Sequence, residues 1–160
     1  MKSNTFFSAI ILIGFGLYFL LAQLDVAIVQ TFLYWPTLLC IIGLAFLLQF
    51  FKSNNYELIL PGIILFGLGV HFHAVLSFGL WQNDLGIILF IVSLGLLLQS
   101  LKSRNGLVVS LMMFFLSIFL VFNESVLSLL ATLGISLSIS FSLWPFLLIA
   151  VGIILLFMKK

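Results

Sequence analysis

The charges in this chain fall at breaks between long apolar stretches, and their sign all but alternates from one break to the next. Lys2 precedes the first stretch, Lys52 follows the second, Lys102 and Arg104 follow the fourth, and Lys159 and Lys160 close the sixth. Those are all 6 basic residues. Asp25, Asp84 and Glu124 occupy the intervening breaks, and only Glu57 shares a basic one. Short cytoplasmic loops of membrane proteins carry the Lys/Arg excess. The pattern therefore predicts an all-α, polytopic membrane protein of six transmembrane helices, with both termini in the cytoplasm.

Composition agrees. With 160 residues, 64% hydrophobic and 6% charged, the chain falls far below the roughly 25% charged residues of a soluble domain. Each crossing needs about 20 predominantly apolar residues, so six use up nearly the whole length. A single transmembrane domain over 1–160 is expected. The spans read Thr5–Leu24, Phe32–Phe51, Leu58–Phe78, Leu85–Leu101, Leu107–Phe122 and Phe141–Met158. Backbone groups in lipid must be satisfied within the segment, which selects helices, and spans apolar on every face do not fit barrel strands. The first stretch is long enough to cross and has no clear cleavage site, so it reads as a retained helix. The link from Asn123 to Ser140 is apolar in part but too short to span, and reads first as an interfacial or re-entrant segment. Longer, tilted fifth and sixth helices are the alternative. The net charge of +2 comes from loop anchors and offers no nucleic-acid patch. The lone Cys40 reads as a small hydrophobe at a helix contact.

The chain also repeats itself. Ile11-Leu12-Ile13-Gly14-Phe15-Gly16-Leu17-Tyr18-Phe19 matches Ile64-Leu65-Phe66-Gly67-Leu68-Gly69-Val70-His71-Phe72. Leu47-Leu48-Gln49-Phe50-Phe51-Lys52-Ser53 matches Leu97-Leu98-Gln99-Ser100-Leu101-Lys102-Ser103, and Tyr34-Trp35-Pro36 with Gly43 returns as Leu143-Trp144-Pro145 with Gly152. The predicted unit is a helical hairpin with its tip outside, used three times over about 5–53, 57–103 and 107–160. Units that start and end inside are parallel repeats, unlike the inverted repeats of many secondary transporters.

Few residues invite chemistry. Trp35-Pro36 and Trp144-Pro145 are expected to start inward-running helices at the outer surface. Proline suits a first helical turn, where its missing N–H has no partner to lose, and tryptophan suits the interface. Trp81 is expected to anchor in the same way. Gly14, Gly16, Gly43, Gly67, Gly69, Gly95 and Gly152 lie within spans and read as close-packing positions. Gln49 and Gln99 end their helices at equivalent places. Ser8, Ser93, Ser110 and Ser117 read as bonding their own backbone or a neighbouring helix. His71 and His73 are the candidates for proton or metal chemistry. Two residues apart on a helix, they point to different sides, and Tyr18 takes the place of His71 in the repeat, so both read as interface packing. The expected spans hold no deep charge, the usual mark of an ion or substrate pathway. No cofactor, metal site or catalytic constellation is expected.

The Gly14-Phe15-Gly16-Leu17-Tyr18 pattern, followed by Trp35-Pro36-Thr37-Leu38-Leu39 and Gly43, resembles the LiaI–LiaF-like transmembrane region. It is carried best by Ile10 to Ser53, with Trp144 to Lys160 repeating its second half. This resemblance implies a bacterial, Gram-positive plasma membrane and a link to cell-envelope stress. LiaF-type members resemble negative regulators of a sensor histidine kinase, and LiaI-type members resemble membrane anchors for a stress protein. LiaF-type members also carry a soluble domain after the helices, which is not expected in a chain ending at Lys159-Lys160. Two readings follow. The first is a non-enzymatic partner that acts by helix contact in an envelope-stress or signalling assembly, surrounded by lipid. The second is a small-solute transporter or channel subunit, which substrate-dependent flux would reveal.

Overall fold

The computed structural model describes residues 2–24, 27–79 and 85–132, together with Ile149, Gly152 and Ile153. Among them are five long helices and one short one: α1 (Lys2–Ala22), α2 (Ala27–Phe32), α3 (Pro36–Ser53), α4 (Ile59–Leu76), α5 (Leu85–Ser103) and α6 (Leu107–Thr132). A 3₁₀ turn, Tyr56–Leu58, leads into α4. The described residues contain no strand.

Among the described residues, four segments are long and apolar enough to cross a membrane: Thr5–Ala22, Pro36–Ser53, Tyr56–Leu76 and Leu85–Ser103. Two expected boundaries change. Phe32 does not open the second span, because it ends α2, and α3 begins at Pro36. The proline ring fixes φ and needs no hydrogen-bond acceptor, so the helix starts there. The expected break at Asn123 is absent as well, since α6 runs without interruption from Leu107 to Thr132. Its apolar part, Leu107–Phe122, is shorter than the four spans, and the polar Asn123 and Glu124 lie inside the helix rather than ending it. Residues 133–140 and most of the expected sixth span fall outside the described residues.

The long helices stand in single file. The principal contacts join α1 to α3, α3 to α4, α4 to α5 and α5 to α6. Burial follows from this openness. Fully or nearly covered positions are mostly small or polar, including Ala45, Ala74, Ser93, Ser117, Gln49 and His71. Large apolar side chains point outward instead, with Leu12 72% and Phe115 66% exposed. A water-soluble fold would invert that arrangement. In lipid, helices gain nothing by hiding leucine from leucine, so they associate through small residues and hydrogen bonds.

Two turns at one end of the row share a backbone conformation. Asn54 ends α3 at φ 51°, and Arg104 follows α5 at φ 59°. Each donates its backbone N–H to the carbonyl four residues back, Phe50 or Ser100, at 2.8 Å. In each turn the next residue, Asn55 or Asn105, donates its N–H to a serine hydroxyl, Ser53 or Ser103, at 3.4 Å. Lys52 closes α3 with its ammonium 3.8 Å from the ring centre of Phe6 on α1, a cation–π contact that fixes the start of the first helix to the end of the second long one.

Candidate functional site

Chemistry in this molecule is concentrated where helices touch, and each contact uses a different device. Between α3 and α4 the device is glycine. A Cβ at Gly43 would lie 2.7 Å from the Cα of Phe66, and one at Gly69 would lie 2.8 Å from both the Cys40 nitrogen and the Pro36 carbonyl oxygen. Gly62 faces Leu47 at similar range, 2.8 Å from Cδ2. Backbone therefore meets backbone at Gly43 and Gly69, and only hydrogen fits at these two points. Gly67 faces Ile91 across α4 and α5, with 2.6 Å to Cγ2, and Gly95 faces Leu60 at 3.1 Å. Gly14 abuts Ile41. Gly16 and Gly152 have no atom within 4 Å of such a Cβ among the described residues.

Between α5 and α6 the device is a pair of buried serine contacts. Ser93 and Ser117 are 2.8 Å apart, and Ser100 and Ser110 are 2.6 Å apart. Each hydroxyl also lies within bonding distance of the carbonyl three residues earlier in its own helix: Phe90, Phe114, Leu97 and Leu107 respectively. A hydroxyl has one proton, so each pair has two protons for three contacts. One serine donates to its own helix while the other donates across the interface. Ser100 was not among the expected contact positions, nor were Gly62 and Gly86. Their signal is spacing: Gly86, Ser93 and Ser100 are seven residues apart on α5, as Ser110 and Ser117 are on α6. Gly86 meets backbone as well, 3.1 Å from the Val121 nitrogen.

The third device is at the opposite end of the row from the two shared turns. His73 Nε2 lies 2.8 Å from Thr37 Oγ1, and Nδ1 lies 3.2 Å from Ser77 Oγ. Thr37 Oγ1 also donates to the Phe32 carbonyl. With the threonine proton committed there, the arrangement matches the tautomer in which Nε2 carries the imidazole proton and donates to Thr37, while Nδ1 accepts from Ser77. The network ties the end of α4 to the start of α3 and the end of α2. His71 is 2% exposed, a buried position rather than a surface one. Its ring centre lies 5.4 Å from that of Phe72. Tyr18, its counterpart in the repeat, donates its hydroxyl to the Leu33 carbonyl at 2.9 Å. Among the described residues, no group of three or more His, Cys, Asp or Glu side chains could hold a metal.

The expected anchors divide. Pro36 is fully buried, and Trp35 before it is half exposed, with its ring centre 4.9 Å from that of Phe72. Trp81, Trp144 and Pro145 lie outside the described residues. Gln49 is buried on α3, whereas Gln99 lines a cavity at the turn end, so their equivalent sequence positions lead to different surroundings. A groove of about 380 Å³, almost wholly apolar, lies between α1, α2 and α3 beside Tyr18, Val29, Phe32 and Ile41.

Among known proteins, the chain is similar to the uncharacterized membrane protein YsxD of Bacillus subtilis (strain 168). The two are 29% identical over 126 residues, covering 79% of this chain and 76% of that protein. No solved structure matches. The family described as the LiaF transmembrane domain matches residues 7–105, which reach from the first turns of α1 through the turn after α5. That match takes in the third and fourth spans as fully as the first two, and with it the glycine contacts from Gly14 to Gly95. By this extent of agreement, the chain belongs to the LiaF transmembrane domain family.

Proposed function

We propose that this protein is a non-enzymatic helix-contact partner or regulator in a bacterial envelope-stress or signalling assembly. The observation that carries this reading is the single-file row. Its contacts are made through glycine and serine, and bulky side chains such as Leu12 and Phe115 remain outward. Among the described residues the row has no closed interior, which leaves helix faces for other membrane segments. Membership of the LiaF transmembrane family supports a regulatory role over transport.

In this reading the chain lies in the bacterial plasma membrane. It crosses six times with both termini cytoplasmic, as three parallel hairpin units. The shared conformation of the turns at Asn54 and Arg104 supports the repeat. Gly14, Gly43, Gly67, Gly69 and Gly95 serve as close-packing positions, and Trp35 with Pro36 serves as an interface anchor. The partner is a sensor kinase or a stress protein. Photocrosslinkers placed at Leu12 and Phe115 in native membranes test this. One discrete adduct with such a protein is the expected result. Lipid adducts alone, or saturable solute transport by the purified protein in liposomes, would overturn it.

A further inference from the structure

We propose that a cavity at the turn end of the row holds the headgroup of an aminophospholipid, with the Glu57 carboxylate receiving the lipid ammonium. The cavity measures about 460 Å³ and lies where the 3₁₀ turn meets the last turn of α5 and the first turn of α6. Glu57, Gln99, Ser103 and Asn105 supply its polar wall, together with the paired Ser100 and Ser110. Leu96 and Val109 also line it, each three residues deeper along its helix than Gln99 and Gly106. The backbone N–H of Glu57 donates to the Asn55 side chain at 3.1 Å. The Glu57 carboxylate and the side-chain amides of Gln99 and Asn105 share that wall.

Charge narrows the occupant. Glu57 is the one acid in turns whose other charges are Lys52, Lys102 and Arg104. The site thus combines a carboxylate, neutral donors and apolar residues deeper along both helices, with Lys102 and Arg104 flanking Ser103 in sequence. A primary ammonium donates three hydrogen bonds and matches the carboxylate, and the adjoining phosphodiester matches amide, hydroxyl and cationic donors. The glycerol and first methylenes match Leu96 and Val109. A choline headgroup has no N–H to give Glu57, and a glycerol headgroup lacks the ammonium altogether.

Native mass spectrometry of the full chain, released from nanodiscs with equal amounts of phosphatidylethanolamine, phosphatidylcholine and phosphatidylglycerol, tests the proposal. Retention of the ethanolamine lipid should exceed that of the choline lipid by about threefold, the scale of an exposed charge pair. Glu57→Gln should level the two. Asn105→Ala, at an exposed turn position, should lower ethanolamine-lipid retention in the same direction. Equal retention of all three lipids by the unaltered chain would overturn the site, as would a preference unchanged in both variants. Displacement of the lipid by soluble phosphoethanolamine would overturn the lipid as its source.

Discussion

Gly69 of α4 faces Cys40 of α3 so closely that a methyl group on Gly69 would sit 2.8 Å from the Cys40 backbone nitrogen. Pro36, one helical turn earlier on α3, presents its carbonyl oxygen to the same spot at the same distance. Neither obstacle is a side chain that could swing away. The contact is therefore a test of whether backbone approach holds the row together.

Gly43→Ala and Gly69→Ala should each destabilise the protein by about 1–3 kcal/mol, the usual cost of overpacking a tight contact. Gly16→Ala, facing open space, should be neutral or slightly stabilising. Denaturant titration in detergent micelles, followed by circular dichroism, compares them. Equal effects at Gly16 and Gly69 would rule out close approach as the cause.

The serine pairs predict non-additivity. Ser93→Ala leaves Ser117 free to donate to its own Phe114 carbonyl, so the single change should cost little. A double-mutant cycle on Ser93 and Ser117 should return a coupling of about 0.6 kcal/mol, the average for hydrogen bonds between membrane helices. The same value is expected for Ser100 with Ser110. Additive losses would mean that the hydroxyls do not bond across the interface.

For His73 the tautomer is the readout. Nitrogen-15 NMR of the labelled protein should show the proton on Nε2, and Thr37→Val should remove that preference. His73→Phe loses both hydrogen bonds and should destabilise the α3–α4 pair by about 1–2 kcal/mol. A proton found on Nδ1 in the neutral ring would contradict the network.

Topology can be read with an impermeant thiol reagent after replacing Cys40 by alanine. Cysteines at Asn54 and Asn105 should be protected in intact cells, and one at Asn83 should react. The motivation is the placement of Lys52, Lys102 and Arg104 in the first two turns. Labelling at Asn54 with protection at Asn83 would invert the orientation.

The elements that could be read from sequence were those that one physical rule decides. Apolar length sets the four spans among the described residues, the Trp35-Pro36 pair marks the start of α3 where apolar length alone placed it at Phe32, and lysine placement marks the turns. The short helix Ala27–Phe32 was hidden, because six residues give no periodicity to detect. So was the continuation of α6 past Asn123, where polarity reads as a break although a helix tolerates both Asn123 and Glu124. The serine pairs escaped for a different reason. Ser93 is 24 residues from Ser117, and Ser100 is 10 from Ser110. Only when the hairpin is known to fold about Asn105 do both pairs fall opposite one another. Pairing across helices is a property of register, which residue type alone does not encode. The Thr37–His73 contact, 36 residues apart, has the same character.

Single-file packing also bears on how such a chain is made. Each long helix after the first contacts the long helix before it, so a docking surface is already in place when it leaves the ribosome. Among the described helices none has to wait for a distant segment, and loop closure between neighbours is short, which favours rapid, sequential assembly during synthesis. A ribosome stalled after the turn at Arg104 would already have released α1, α3 and α4 with every one of their mutual glycine contacts available. The fold can therefore grow by adding one helix at a time to an exposed edge.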